Sequence, residues 1–129
     1  MIRYPRYSFS LCLLTALLWN HHARADELPS EVTVATWNLE WFFDADQGDN
    51  RTPLARAQSA PSEKEWHWKR DQVANVIAQM KPTILALQEV ENRQVLRALT
   101  EQLKSQHQLN YRIAFVEGWD TYTEQDVAI

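Results

Sequence analysis

The chain has 129 residues, 45% of them hydrophobic, and a formal net charge of −4 at neutral pH. This length accommodates one small domain, and the hydrophobic fraction is that of a folded protein, which excludes a fully disordered chain. The acidic balance argues against a protein that binds nucleic acid through a broad basic face.

Residues 1–25 have the pattern of a secretory signal peptide. Arg3 and Arg6 give a basic start, Phe9 to Trp19 is a short apolar run, and Ala23-Arg24-Ala25 offers a small-residue cleavage site. The run is shorter than the roughly 20 apolar residues that span a bilayer. We therefore expect cleavage after Ala25, export to the periplasm or the medium, and no membrane span afterwards. An uncleaved anchor or a buried N-terminal helix is the alternative.

Cleavage would change the composition of the chain in two ways. The single cysteine, Cys12, would be lost, which excludes a thiolate zinc site in the remainder. Three of the 13 Lys and Arg residues would be lost but none of the 17 acidic residues, so ten cations and 17 anions give a net charge of −7. Such a surface suits a protein that gathers carboxylates around a cation.

The first half of the remaining chain predicts a strand, a loop and a helix. The β-branched segment from Glu31 to Leu39 predicts the strand, and the polar residues 44–60 predict a long surface loop. Ser62 and Glu65 then form a capping box that begins a helix. Apolar residues recur at helical spacing from there until Pro82 ends the helix.

The second half predicts a buried strand, a helix and a hairpin. The apolar run from Thr83 to Glu89 predicts the strand, and Glu91 to Gln106, with Asn92 as its cap, predicts the helix. Two strands follow, Tyr111 to Val116 and Gln125 to Ile129. The order of elements predicts an α/β fold in which a helical crossover joins a parallel pair of strands.

Polar side chains end both strands of this parallel pair. Asn38 and Glu40 share a face at the end of the first strand, and Glu89 ends the second. The carboxyl ends of parallel strands meet at one edge of a sheet, where open α/β sheets place their sites. Carboxylate and amide oxygens are ligands that a hard cation such as Mg2+ prefers. The alternative is ordinary polar strand ends, with Asn38 capping a turn and Glu89 paired with Arg93 or Lys69.

Two motifs in these segments resemble those of a known family. TWNLEW (Thr36 to Trp41) resembles the first motif of the endonuclease/exonuclease/phosphatase superfamily, and ILALQEVEN (Ile84 to Asn92) resembles its second motif. EQDVAI (Glu124 to Ile129) resembles the strand that follows in that family. The resemblance covers about the first half of the family's domain. It implies part of a two-sheet α/β sandwich with outer helices, truncated at Ile129. A short last strand that closes a small fold is the alternative.

The resemblance also implies an activity, which is divalent-metal-dependent hydrolysis of phosphate esters. Its cofactor would be Mg2+ or Mn2+, and its substrate a phosphate ester such as a nucleic acid. Glu89 would be the principal metal ligand, Glu40 would help to hold the metal, often through water, and Gln88 would support the ligands from behind. Asn38 would orient the ligands or a phosphate oxygen, so Asn38 and Glu89 are the catalytic candidates.

The later motifs of that family are missing from these 129 residues. Neither an Asp-x-Asn pair nor a Ser-Asp-His sequence occurs, and His107, the only histidine after Glu89, does not follow an aspartate. The general base is therefore not identified, and we do not expect this chain alone to activate water. The alternative to a hydrolase is a non-catalytic fragment that at most binds a divalent cation.

The loop after the first strand contains a weaker metal signal. Asp44, Asp46 and Asp49 with Gly48 resemble a calcium loop. Gly48 stands one place too early, however, and no closing glutamate follows at the required distance. A solvated acidic loop is the preferred interpretation, and Ca2+ is a secondary candidate.

Aromatic residues are frequent near the first strand and first helix. The set consists of Trp37, Trp41, Phe42, Phe43, Trp66 and Trp68. Such rings stack on nucleic-acid bases in some proteins. Packing of the helix against the sheet is the preferred interpretation.

Overall fold

The computed structural model describes residues 31–129. The predicted signal peptide and its cleavage after Ala25 lie outside the described residues. From residue 31 onwards, no helix has both the length and the apolar composition to cross a membrane.

The described residues form one mixed sheet and three helices, which confirms the predicted α/β class. The elements in chain order are β1 (Val34–Phe42), α1 (Pro53–Gln58), α2 (Glu63–Met80), β2 (Ile84–Val90), α3 (Arg93–His107), β3 (Phe115–Val116) and β4 (Asp126–Ala128). The four strands lie side by side in the order β1-β2-β4-β3.

The pairing of β1 with β2 decides where the strand ends lie. The two strands are parallel, with α2 in the crossover, and their register runs from Val34 beside Ile84 to Asn38 beside Gln88. β4 is antiparallel to β2, and β3 is antiparallel to β4. The carboxyl ends of β1 and β2 therefore meet at one edge of the sheet, as the sequence predicts.

Helices α2 and α3 cover one face of the sheet. Trp37, Leu87 and Ala128 stand side by side in register on β1, β2 and β4 and face these helices. The buried residues of this core are Leu39, Phe42, Trp66, Val73, Ala74, Ile77, Leu87, Val90, Val95, Leu96, Leu99, Leu103 and Ala128. Each large aliphatic side chain buried here stabilises the fold by about 1.5–3 kcal/mol, so this layer fixes the sheet that carries the site.

Both predicted helix caps are present. The Ser62 hydroxyl accepts a hydrogen bond from the Glu65 N–H at 3.3 Å, and the Asn92 side chain accepts from the Gln94 and Val95 N–H groups at 2.7 and 3.1 Å. These bonds satisfy N–H groups that have no carbonyl partner in the first turn of a helix. The start of α3 at Arg93 leaves only Glu91 between the end of β2 and the Asn92 cap.

The largest differences from the sequence prediction concern α1, β1 and β3. Residues 44–60 are not all loop, because α1 forms within them from a Thr52 cap and a proline in its first turn. β1 continues beyond Leu39, since Phe42 still pairs with Val90. β3 has two residues rather than six, and the segment before it is fixed by the Tyr111 hydroxyl, which donates to the Pro82 carbonyl at 2.7 Å.

The opposite face of the sheet has no covering layer among residues 31–129. Val34, Ile84, Val116 and Val127 lie exposed on this face.

Candidate metal site at the strand ends

The ends of β1 and β2 carry matching irregularities. The register of the pair shifts between Asn38 and Phe42, and β2 shifts against β4 between Gln88 and Val90. Glu40, Trp41 and Glu89 have positive φ angles of 50°, 58° and 60°. Residues other than glycine rarely adopt this backbone conformation. Each such residue costs about 1–3 kcal/mol of stability, and it persists only where its surroundings hold it.

These irregularities bring Asn38 and Glu89 into direct contact. The Asn38 Nδ2 donates to Glu89 Oε1 at 2.7 Å, and the Trp41 N–H donates to Glu89 Oε2 at 3.3 Å. The Asn38 Oδ1 accepts from the Glu40 N–H at 2.8 Å, which fixes the amide with its nitrogen toward Glu89. Asn38 therefore holds the bulge of β1 and the carboxylate of β2 at the same time.

A third contact to Glu89 comes from the residue before β4. Gln125 Nε2 donates to Glu89 Oε2 at 3.1 Å. Within residues 31–129, all three hydrogen bonds to the Glu89 side chain come from N–H donors. A carboxylate offers about four acceptor positions, so three donors leave one for a further ligand.

Lys69 of α2 supports the bulge from the helix side. Its Nζ donates to the Glu40 and Trp41 carbonyls at 2.9 and 2.6 Å. Burial lowers the pKa of Lys69, while the nearby charges of Glu40 and Glu89 act in the opposite direction. The ammonium therefore orients the strained peptides and places one positive charge beside two carboxylates.

Replacement of Lys69 by methionine will destabilise the fold by about 1–2 kcal/mol, because two carbonyls lose a charged donor. Urea unfolding followed by circular dichroism measures this change. Lys64→Met is the matched control, since Lys64 lies exposed on the same helix. Equal stabilities for the two variants would contradict a supporting role for Lys69.

The structure places the other predicted site residues as follows. Glu40 lies beside Asn38, and its exposed carboxylate makes no hydrogen bond or ion pair with residues 31–129. Gln88 donates to the Thr36 hydroxyl at 2.9 Å rather than to Glu89, so its support of the ligands stays a prediction. Glu89 forms no ion pair within 4.0 Å with either Arg93 or Lys69, the alternative partners.

A second group of carboxylates lies near the first. Asp44, Asp49 and Glu91 each offer an oxygen within 4.8 Å of the others, and together they could hold a metal ion. Glu91 is only 6% exposed. Its two oxygens accept from the Asp44 N–H at 2.8 Å and from Asn50 Nδ2 at 2.7 Å. The prediction of a cation site is therefore supported in its general form, without a choice of metal.

Burial and mutual repulsion govern the charges of this second group. Burial raises the pKa of Glu91 to about 7, and hydrogen bonds from Asp44 and Asn50 only partly oppose that change. Burial also raises the pKa values of Asp44 and Asp49, and in each case the charge of Asp46 adds to the effect. Three carboxylates that resist ionisation side by side are a favourable environment for a divalent cation.

Sequence reasoning missed Glu91, which we expected only to begin a helix. We considered Asp44 and Asp49 as parts of a calcium loop. In the structure, hydrogen bonds link two carboxylates of this loop to its own backbone. The Asp44 carboxylate accepts from the Asp46 N–H, and the Asp46 carboxylate accepts from the Gly48 N–H, each at 2.8 Å. The available signal was the spacing of Glu91 two residues after Glu89, at the end of the same strand.

Of two cavities in the described part of the chain, only the polar one is lined by residues of these groups. A polar cavity of about 320 Å³ extends from Asp49 and Glu91 to the loop between β3 and β4, which contributes Gly118 and Asp120 to its lining. A larger, apolar cavity of about 530 Å³ lies between α3 and residues 110–114 and has no carboxylate in its lining. The polar cavity is therefore the one connected to the candidate chemistry.

The aromatic residues near β1 divide into a buried and an exposed group. Phe42 and Phe43 are buried, and Phe42 packs against Trp66 with their ring centroids 5.0 Å apart. Packing of α2 on the sheet is thus the role of most of this set. Trp68 is 65% exposed on the outer side of α2 and takes no part in that packing.

Neither known protein families, nor curated proteins, nor solved structures match this chain, so the geometry of the strand ends is the basis on which its function is inferred.

Proposed function

We propose that the chain supplies the metal-binding part of a divalent-metal-dependent hydrolase of phosphate esters. The observation that carries the proposal is the contact between Asn38 and Glu89 on matching bulges of adjacent parallel strands. Strained backbone held by several independent bonds is frequent where a protein fixes functional groups. Glu89, with one acceptor position left, and the unengaged Glu40 carboxylate would bind Mg2+ or Mn2+ there.

In this role the metal would neutralise charge on the phosphate, which is the chemistry a divalent cation supplies in phosphoester hydrolysis. The residues of the chain would position it. Asn38 and Gln125 hold the Glu89 carboxylate from two sides, and Lys69 holds the bulge that carries Glu40. No histidine lies in this arrangement, so the base that activates water is not assigned to residues 31–129.

A non-catalytic cation-binding role is the second candidate, and the cluster of Asp44, Asp49 and Glu91 favours it. A cation there would relieve the repulsion among three partly buried carboxylates without any contact to Asn38. Replacing Glu89 or Glu91 singly therefore distinguishes the two candidate sites.

Calorimetric titration of the purified chain with Mg2+ and with Mn2+ tests the proposal. We expect saturable binding of a divalent cation and, because no base is assigned, little or no cleavage of DNA or of a chromogenic phosphodiester. A chain that binds neither cation would overturn the proposed function. Rapid metal-dependent cleavage would show instead that a base is present in the chain.

A further inference from the structure

The loop between β3 and β4, residues 117–125, has an unusual distribution of side chains. Trp119 is 99% exposed and Tyr122 is 71% exposed. Surface loops more often turn their polar groups outward, and a fully exposed tryptophan leaves a large apolar area in water. The two most exposed aromatic side chains of the described residues thus lie on a single loop.

The acidic side chains of this loop are used to hold its backbone. The Asp120 carboxylate accepts from the Tyr122 and Thr123 N–H groups at 2.9 and 3.0 Å, and the Thr123 hydroxyl donates to it as well. The Asp126 carboxylate accepts from the Gly118 N–H at 2.5 Å. Trp119 lies between these hydrogen-bonded residues, so the indole is attached to a backbone that is held in place.

The same loop is attached to the candidate metal site. The Glu124 carboxylate accepts from the Arg51 and Thr52 N–H groups at 2.9 and 2.6 Å, and its own φ is 57°. The next residue, Gln125, donates to Glu89. Gly118 and Asp120, on either side of Trp119, line the polar cavity that reaches Glu91. Trp119 therefore lies between two residues that line the carboxylate-lined cavity.

We propose that Trp119 stacks on an unpaired nucleobase of the phosphate-ester substrate, which makes nucleotides or single-stranded nucleic acid the substrate class. This inference rests on the proposed function, since the phosphate next to that base would reach the metal site. A flat ring presented to solvent stacks on any base face, and the face is accessible only when the base is unpaired.

Binding of two oligomers in Mg2+ tests the inference. One is a short single-stranded oligodeoxynucleotide, and the other is an abasic oligomer with the same number of phosphates, each followed by fluorescence anisotropy. For the unmodified chain we expect the bases to raise the affinity at least about fivefold, the effect of one stacked base. Trp119→Ala should remove this preference and leave abasic binding unchanged, whereas Trp119→Phe should keep part of it.

Trp68→Ala is the matched control, because it removes an exposed tryptophan from α2 rather than from the loop between β3 and β4. The inference is overturned if the unmodified chain shows no base preference, if Trp119→Ala keeps it, or if both oligomers weaken equally. Trp119-dependent binding to phosphatidylcholine vesicles without any base preference would also overturn it. The proposed function fails separately, when Glu89→Gln binds Mg2+ like the unmodified chain.

Discussion

Replacement of Glu89 by glutamine will lower the affinity of the chain for Mg2+ and Mn2+ by at least about tenfold, equivalent to about 1.4 kcal/mol. The substitution removes the negative charge that would bind the cation. It also sets an amide N–H against N–H donors, because Asn38, Trp41 and Gln125 all donate to this carboxylate. Either orientation of the glutamine amide leaves at least one donor without an acceptor. Isothermal titration calorimetry in chelator-free buffer measures the loss.

Two further variants make this measurement specific. Glu101→Gln removes one charge from the exposed side of α3 and should bind the cation as the unmodified chain does. Glu91→Gln removes the buried carboxylate of the second cluster and should leave the strand-end site occupied. If Glu91→Gln abolishes binding while Glu89→Gln retains it, the cation belongs to the cluster with Asp44 and Asp49. The assignment to the strand ends would then be wrong.

The stability of the metal-free chain will fall by about 3 kcal/mol as the pH rises from about 5 to 8, because Glu91 must ionise in a buried position. Burial raises the pKa of Glu91 in the folded chain from 4.5 to about 7. Between these values the folded state binds more protons than the unfolded state. The stabilisation is therefore complete below about pH 4.5 and is lost as the pH passes 7.

The other shifted groups either add to this trend or act outside its range. Burial raises the pKa values of Asp44, Asp49 and Asp126. Ionisation of these three groups therefore also lowers the stability of the fold as the pH rises. Hydrogen bonds from Thr123 and Tyr122 lower the pKa of Asp120. Protonation of Asp120 therefore affects the stability of the fold only in more acidic solution.

Urea unfolding in excess EDTA, at intervals between pH 5 and 8, measures the pH trend. Glu91→Gln should show a much flatter dependence than the unmodified chain, while Glu101→Gln should follow the unmodified chain. Stability that increases with pH over this interval would contradict the burial of an ionisable Glu91. A slope unchanged by Glu91→Gln would assign the trend to the neighbouring aspartates.

Local signals explain which parts of the fold the sequence predicted. Ser62 and Asn92 begin helices through hydrogen bonds within one turn, so short motifs reveal them. The apolar run before Glu89 indicated the second strand, and the intervening helix indicated the parallel pairing. The strand is buried on one face only, since Ile84 lies exposed on the other. The short helix α1 was missed because its six residues are too few to show a helical period, although Thr52 followed by a proline was a usable start signal.

The site was predicted at the right edge of the sheet but for an incomplete reason. Asn38 stands beside Gln88 in register, so strict alternation would place Glu89 on the other face from Asn38. The positive φ of Glu89 brings the carboxylate back to the Asn38 amide. No glycine marks this position, and the conformation depends on donors from β1 and from the residue before β4. Such a bulge cannot be found by periodicity, and neither can the contact of Gln125, which directly precedes the last strand.

Asn38 and Glu89 are separated by 51 positions in the chain, and this distance couples the site to the folding reaction. Contacts between distant segments form only after the intervening chain has closed, which makes their assembly slow compared with helix formation. A cation that requires both side chains would bind the native state and not the denatured ensemble. The free energy of unfolding would thus increase with the concentration of the cation, and a chain made where that ion is scarce would be correspondingly less stable.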